Sequence, residues 1–232
     1  MDREELNRAV RSRIVCADVA LDVGTGIHPQ TLLRGRVHIC IEPHHTYAAQ
    51  LVRMTHENPS LVILQATWDE AMRLLPDDSV DSVFGLDFIE HLTKEDGIRF
   101  LAEATRVASR QVVVFTPLGF YPQGGGGESG ADRWGLDGGA WQTHKSGWTL
   151  EDFDNTWDLF CCHDYHQVDE FEQPLAEPFG ALWAIRQFEQ PLLPRRVRAA
   201  SASHRLVDRF WARAGDCVSA VRRATSPRRN RG

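Results

Sequence analysis

Short apolar runs separated by polar, helix-periodic stretches set the rhythm of the first half of the chain. Val19 to Val23, Val37 to Ile41, Leu61 to Gln65, Ser82 to Leu86 and Gln111 to Phe115 read as buried strands. Between them Tyr47 to Asn58, Asp69 to Leu75 and Lys94 to Ala108 read as helices. In the last of these, Ile98, Leu101, Ala102 and Ala108 trace an apolar face interrupted by Thr105. Alternation of this kind predicts an α/β fold with right-handed crossovers and a doubly wound sheet, with ligands beyond the carboxyl ends of the strands. Two later runs, Trp157 to Cys162 and Ala181 to Ile185, bring the expected count to seven mostly parallel strands, this pair being an antiparallel edge.

The pattern breaks between Gly119 and Gly147. Four consecutive glycines, 124–127, sit there with Tyr121, Trp134, Trp141 and His144. A long connection inside a compact domain is usually functional or disordered, and its aromatic and imidazole content favours a Gly-rich lid over residues 119–147. Thr149 follows as an N-cap, with Asp152 reaching back. The expected catalytic domain is 1–190. In the remainder, 191–232, Leu206, Val207, Phe210, Trp211, Ala214, Val218 and Val221 recur at helical steps among Arg205, Arg209, Arg213 and Arg222. Such a basic amphipathic helix has three destinations: its own domain, the partner in a homodimer, or an anionic membrane surface.

Composition narrows the class. A chain of 232 residues with 42% hydrophobic content can bury one sizeable core. The net charge of −6 hides an asymmetry: from Arg195 onward eleven arginines face only Asp208 and Asp216, a surplus of nine, which leaves −15 on the first 194 residues. That acidic part argues against nucleic acid as a partner. The five cysteines (Cys16, Cys40, Cys161, Cys162 and Cys217) are odd in number and lack CxxC spacing, as expected of reduced thiols. The charged start, Met1-Asp2-Arg3-Glu4-Glu5, has no apolar run behind it, and no stretch of 18 apolar residues exists. The expectation is a cytoplasmic protein, with any contact at the inner membrane surface peripheral and made by the tail.

The chemistry concentrates at Ala20-Leu21-Asp22-Val23-Gly24-Thr25-Gly26 and at Ile39-Cys40-Ile41-Glu42. A buried strand feeding Asp-x-Gly-x-Gly lets the backbone approach a ligand that a Cβ would exclude. An acid ending the next strand is placed to accept from both ribose hydroxyls of a nucleoside. A dinucleotide fingerprint needs a further glycine three positions on, and Pro29 stands there, so the pyrophosphate cradle of an NAD site is missing.

These elements, in this order, resemble the class I S-adenosylmethionine-dependent methyltransferases. Leu21 to Gly26 is similar to the first motif of that family, Glu42 to its ribose-binding acid, and Gln111-Val112-Val113-Val114-Phe115-Thr116-Pro117 to its fifth strand. Asp81 to Leu92, ending in Glu90-His91-Leu92, resembles its fourth strand and the Glu-His-Leu turn of many members. The resemblance covers roughly Cys16 to Gln187. It implies S-adenosyl-L-methionine as cofactor, with Gly24 and Gly26 against the methionine part, Asp22 organising the turn, Glu42 on the ribose, and the backbone near Leu86 and Asp87 receiving the ammonium. An acidic cleft would favour the sulfonium over the neutral product. Two departures stand out. His28 replaces a third glycine, which predicts a tight helix-starting turn with His28 facing the methionine carboxylate. No acid follows the third strand, which leaves Trp68 or backbone groups for adenine.

Methyl transfer needs alignment, and a base when the acceptor is a hydroxyl. His144 is the candidate base, against a structural role in the loop. The segment His144-Lys145-Ser146-Gly147-Trp148 resembles segments of bacterial relatives linked to cell-surface glycans or secondary metabolites, which points to a small-molecule or glycan acceptor, methylated on oxygen. Asp87, Glu90 and His91 share a spacing that could hold a divalent ion, but a helix N-terminus explains the acids as well, and no metal is assigned. The alternative from another class is a binding or scaffold protein that keeps the fold without chemistry.

Overall fold

The computed structural model describes residues 1–123, 131–169 and 171–189. The glycine run at 124–127 and the tail at 191–232 lie outside them. The described residues from Met1 to Glu189 form one compact unit.

Seven strands build one sheet: β1 Val19–Val23, β2 Val37–Ile41, β3 Leu61–Leu64, β4 Val80–Leu86, β5 Ala108–Pro117, β6 Asp158–Val168 and β7 Pro174–Gln187. Their order is β3-β2-β1-β4-β5-β7-β6. All pairs are parallel except those made by β7, which runs antiparallel to both β5 and β6. The expected antiparallel edge pair is present: β6 and β7 pair antiparallel at one edge of the sheet, with β7, the reversed strand, inserted between β5 and β6. The chain leaves β1 in one direction and β4 in the other, so the carboxyl ends of these two strands flank a topological switch point.

Strand alternation sends successive side chains to opposite faces. Val112 and Val114 of β5 join Leu21, Val83 and Leu182 beneath the helices α3 (Trp68–Met72) and α4 (Lys94–Val107). Val113 and Phe115 join Ala20, Phe84 and Trp183 on the other face, against Leu6 and Val10 of helix α1 (Arg3–Arg13). A fourth helix, α2 (His45–Met54), follows β2.

Two differences from the sequence pattern concern helices. The α4 face that packs is Gly97, Phe100, Ala104 and Val107, whereas Ile98 is 57% exposed and Ala102 is exposed as well. Gly97 belongs to the buried face because Trp148 lies against it; a Cβ there would stand 2.3 Å from the indole. The unexpected helix is α1. Its apolar stripe is only two residues, but its start is a capping box: Asp2 Oδ1 accepts from Glu5 N at 2.8 Å and Glu5 Oε2 from Asp2 N at 3.2 Å. No described helix is long and apolar enough to cross a membrane.

Candidate functional site

At the end of β1 the chain turns through Gly24 (φ +68°) and Gly26 (φ +59°), in the left-handed region that favours glycine. The two positions do different work. A Cβ on Gly24 would meet the Phe88 ring at 2.1 Å, so this glycine admits an aromatic side chain from across the switch point; a Cβ on Gly26 would meet Trp134 at 3.9 Å, an ordinary contact. Below the turn, Asp22 Oδ2 accepts from Gln30 N (2.8 Å) and contacts His38 Nε2 (3.2 Å). Asp22 thus ties the end of β1 to Gln30, eight residues on, and to His38 of β2. Glu42, 4% exposed, accepts from Gly26 N through Oε2 and from His44 N through Oε1, both at 2.8 Å. Burial pushes its carboxyl up to about 7, the two backbone N–H groups opposing the shift.

No helix starts at His28, contrary to expectation: residues 24–36 are irregular. Pro29 brings no N–H, Gln30 N is tied to Asp22, and the Gln30 amide closes on Leu33 N and O at 3.0 and 2.9 Å. The groups that would begin a helical ladder are already engaged. His28 lines the cleft beside Trp134, ring centroids 6.1 Å apart.

Beyond the strand ends lie two adjoining cavities of about 410 and 190 Å³. Gly24, Gly26, Asp87, His91 and Gln142 border both, so they are two parts of one cleft. The smaller part is walled by Glu42, Tyr47, Trp68, Phe88 and Trp141. Trp68 is 9% exposed and meets Phe100 edge to face at 5.8 Å. The larger part holds His28, Leu86, Glu90, Tyr121, His144 and His166. The cleft thus gathers Asp22, Gly24, Gly26, His28, Glu42, Trp68, Leu86, Asp87 and His144.

The wall opposite the glycine turn departs from the expected helix start. Asp87 has φ +47° and its N–H continues the sheet to Phe115 O (3.0 Å); only a 3-10 turn, Ile89–His91, follows. Onto this turn a distant segment is stapled. Lys145 N and Ser146 N both donate to Glu90 O (2.7 and 3.1 Å), and Ser146 Oγ donates to Ile89 O (3.2 Å). Trp148, fully buried, anchors the segment through Nε1 to Ser146 Oγ (3.0 Å) and lies under the Lys94 ammonium at 3.9 Å. His144 is thereby held beside His91, centroids 4.8 Å apart.

Both imidazoles are oriented by carbonyls. His144 Nδ1 lies 2.8 Å from Tyr121 O, and His91 Nδ1 3.3 Å from Thr143 O. A carbonyl only accepts, so in each of these contacts Nδ1 carries the proton. Burial, then the nearby His144, lowers His91 to about 4. Burial also raises Asp87 and Glu90, and for Glu90 the Asp87 charge adds to it while the Thr116 hydroxyl opposes it.

Of the segment expected as a lid, residues 119–123 and 131–147 are described. Besides the staple at its end, Asp132 accepts from the buried Tyr47 hydroxyl of α2 and, through Oδ1, from Trp134 N and Leu136 N (2.8 and 2.9 Å). Tyr47, Asp132, His38 and His166 were not picked out from sequence. His38 was recognisable as the residue two before Cys40 on the strand facing Asp22; nothing local points to the other three.

No protein-family model and no curated protein matches the chain in sequence. Among solved structures, a proposed methyltransferase from Bacillus halodurans superposes with a TM-score of 0.53 over 79% of this chain and 98% of its own, at 12% identity. A SAM-dependent methyltransferase from Archaeoglobus fulgidus gives 0.49 over 80% and 92%, at 14% identity. The chain has the class I methyltransferase fold.

Proposed function

We propose that this chain uses the cleft of its methyltransferase fold to bind S-adenosylmethionine and to methylate an oxygen of a small-molecule or glycan acceptor. The observation that carries the reading is Glu42, buried at the end of β2 and already bonded to the glycine turn through Gly26 N. Each Glu42 oxygen uses one lone pair on a backbone N–H, which leaves one on each for the 2′- and 3′-hydroxyls of a ribose. The 190 Å³ part then takes the nucleoside, with Trp68 against adenine. The methionine part runs past Gly26 toward Leu86, Asp87 and His28, which directs the methyl group into the larger cavity.

In that cavity His144 fits the part of base. Its Nε2 lone pair takes the acceptor hydroxyl proton as the oxygen forms its bond to the methyl carbon. The carbon–sulfur bond breaks with its electron pair going to sulfur, which neutralises the sulfonium. The acidic neighbours Asp87 and Glu90 favour the cationic donor over the neutral product.

Calorimetric titration of the purified chain with S-adenosylmethionine, S-adenosylhomocysteine and NAD tests this. The expected result is micromolar binding of the two sulfur nucleosides, weakened about 10–100-fold in Glu42→Ala, and none of NAD. Absence of nucleoside binding overturns the reading in favour of a scaffold protein with an inherited fold.

A further inference from the structure

We propose that Glu90, His91 and His144 bind one divalent first-row transition ion on the acceptor side of the cleft. One candidate donor atom from each residue falls in a set whose members lie within 4.8 Å of one another. Bonds of about 2.0–2.2 Å let an ion bridge atoms up to about 4 Å apart, so modest side-chain settling closes the triangle. Two residues are adjacent on the 3-10 turn, and the third is delivered by the segment that Lys145 N and Ser146 N pin to Glu90 O.

Three independent features point to a cation. Glu90 is 2% exposed, lines the cavity, and its Oε2 is buried without a hydrogen-bond partner. A buried carboxylate oxygen left this way costs free energy that an ion would offset. Among the described residues no ion pair includes Glu90 or Asp87. Both histidines donate Nδ1–H to backbone carbonyls, the arrangement that fixes the tautomer and ring orientation of a metal-ligating imidazole. Two nitrogens and one carboxylate oxygen suit Mn²⁺, Fe²⁺, Co²⁺ or Zn²⁺ better than Ca²⁺ or Mg²⁺.

Three protein ligands leave coordination positions open, and the open side is the 410 Å³ cavity. The role of the ion rests on the methyl-transfer reading, although the ion site itself does not. With the ion present, His144 Nε2 is a ligand and not the base. The acceptor hydroxyl binds the ion, its pKa falls, and its proton leaves to solvent water. The remaining oxygen forms the bond to the methyl carbon while the carbon–sulfur bond breaks toward sulfur. The acceptor class is accordingly one with an oxygen donor able to enter a metal coordination sphere, such as a sugar hydroxyl or a phenol.

Chelator-treated full-length chain is titrated with CoCl₂ by visible absorption and with MnCl₂ by electron paramagnetic resonance, with MgCl₂ as comparator. The expected result is one Co²⁺ or Mn²⁺ per chain, weakened about 10-fold or more in each of Glu90→Gln, His91→Ala and His144→Ala, with metal-free melting by circular dichroism confirming that the variants fold. No stoichiometric binding, or equal affinity in folded variants, overturns the proposal. S-adenosylhomocysteine binding is measured on the same samples: nucleoside binding without metal binding removes the ion and keeps the cofactor reading, and the reverse removes only the latter.

Discussion

Two buried clusters of similar composition flank the glycine turn, and they behave in opposite ways. Asp22, His38 and Cys40 form one; Glu90, His91 and His144 form the other. The first arises from plain strand geometry: β1 and β2 pair Asp22 with Cys40, and His38 lies two residues back on the same face. Its polar atoms are already matched, Asp22 by Gln30 N and His38, and the Cys40 thiol is pushed up to about 12 by burial and then by Asp22. The second is assembled from segments some fifty residues apart and keeps an unpartnered oxygen at the edge of a cavity. Residue types alone do not distinguish structural polar clusters from reactive ones. What separates them here is whether hydrogen-bonding capacity is spent inside the cluster or offered to a ligand.

The largest effect expected to sharpen this contrast is on turnover. His144→Ala should lower kcat about 10²–10⁴-fold in a methyl-transfer assay with its acceptor. His38→Asn should instead lower the melting temperature more than the rate. Equal loss of turnover in both variants would erase the distinction.

The next effect is on stability. Asp22→Ala leaves Gln30 N–H and His38 without their acceptor and should cost about 3 kcal/mol in chemical denaturation. Glu90→Gln replaces a buried carboxyl that burial and the Asp87 charge push toward its protonated form and that has no ion-pair partner among the described residues, and should be neutral or stabilising in the metal-free protein. A large loss from Glu90→Gln would show that its carboxylate is already satisfied, and the two clusters would then be alike.

A smaller effect is the pH dependence of cofactor binding. The Glu42 carboxylate accepts ribose hydroxyls better than its protonated form, and its pKa in the free protein is raised to about 7. Affinity for S-adenosylmethionine should therefore rise as pH increases from 6 to 8, and Glu42→Gln should flatten that rise. For the free fold the sign is opposite. A raised carboxyl pKa contributes stability that is complete below the ordinary value of 4.5 and is lost as pH climbs through about 7. Melting curves across this range check the second statement, calorimetry the first. The smallest effect concerns the thiol of the closed cluster: buried Cys40 should resist alkylation in the native protein while exposed Cys16 reacts, as peptide mapping would reveal.

Much of the frame and half of the site could be read from residues. β1 and β2 lie where the apolar runs put them, and Glu42 stands against the glycine turn because a strand ending in an acid beside a parallel neighbour leaves it little choice. The helices were less legible. Ile98 gave α4 an apparent face that the structure turns outward, since Gly97 contributes no hydrophobicity and yet makes room for Trp148. The stretch after Gly26 resembled a helix start, but its backbone groups were claimed by Asp22 and Gln30. Tyr47 and Asp132 carry no local signal of their union, because the hydrogen bond between them spans 85 positions.

By itself the sequence determined the α/β alternation, the tight glycine turn without a pyrophosphate cradle, and the acid that faces it. These follow from periodicity and backbone sterics over a few residues, where near neighbours decide the outcome. Tertiary structure alone decided that β7 reverses between β5 and β6, that Asp87 leaves β4 through a left-handed turn, and that His144 lies against Glu90 and His91. Those outcomes depend on which distant backbone N–H reaches which buried carbonyl. Lys145 N and Ser146 N converging on Glu90 O is a match between segments that becomes definite only when both are folded onto the same sheet.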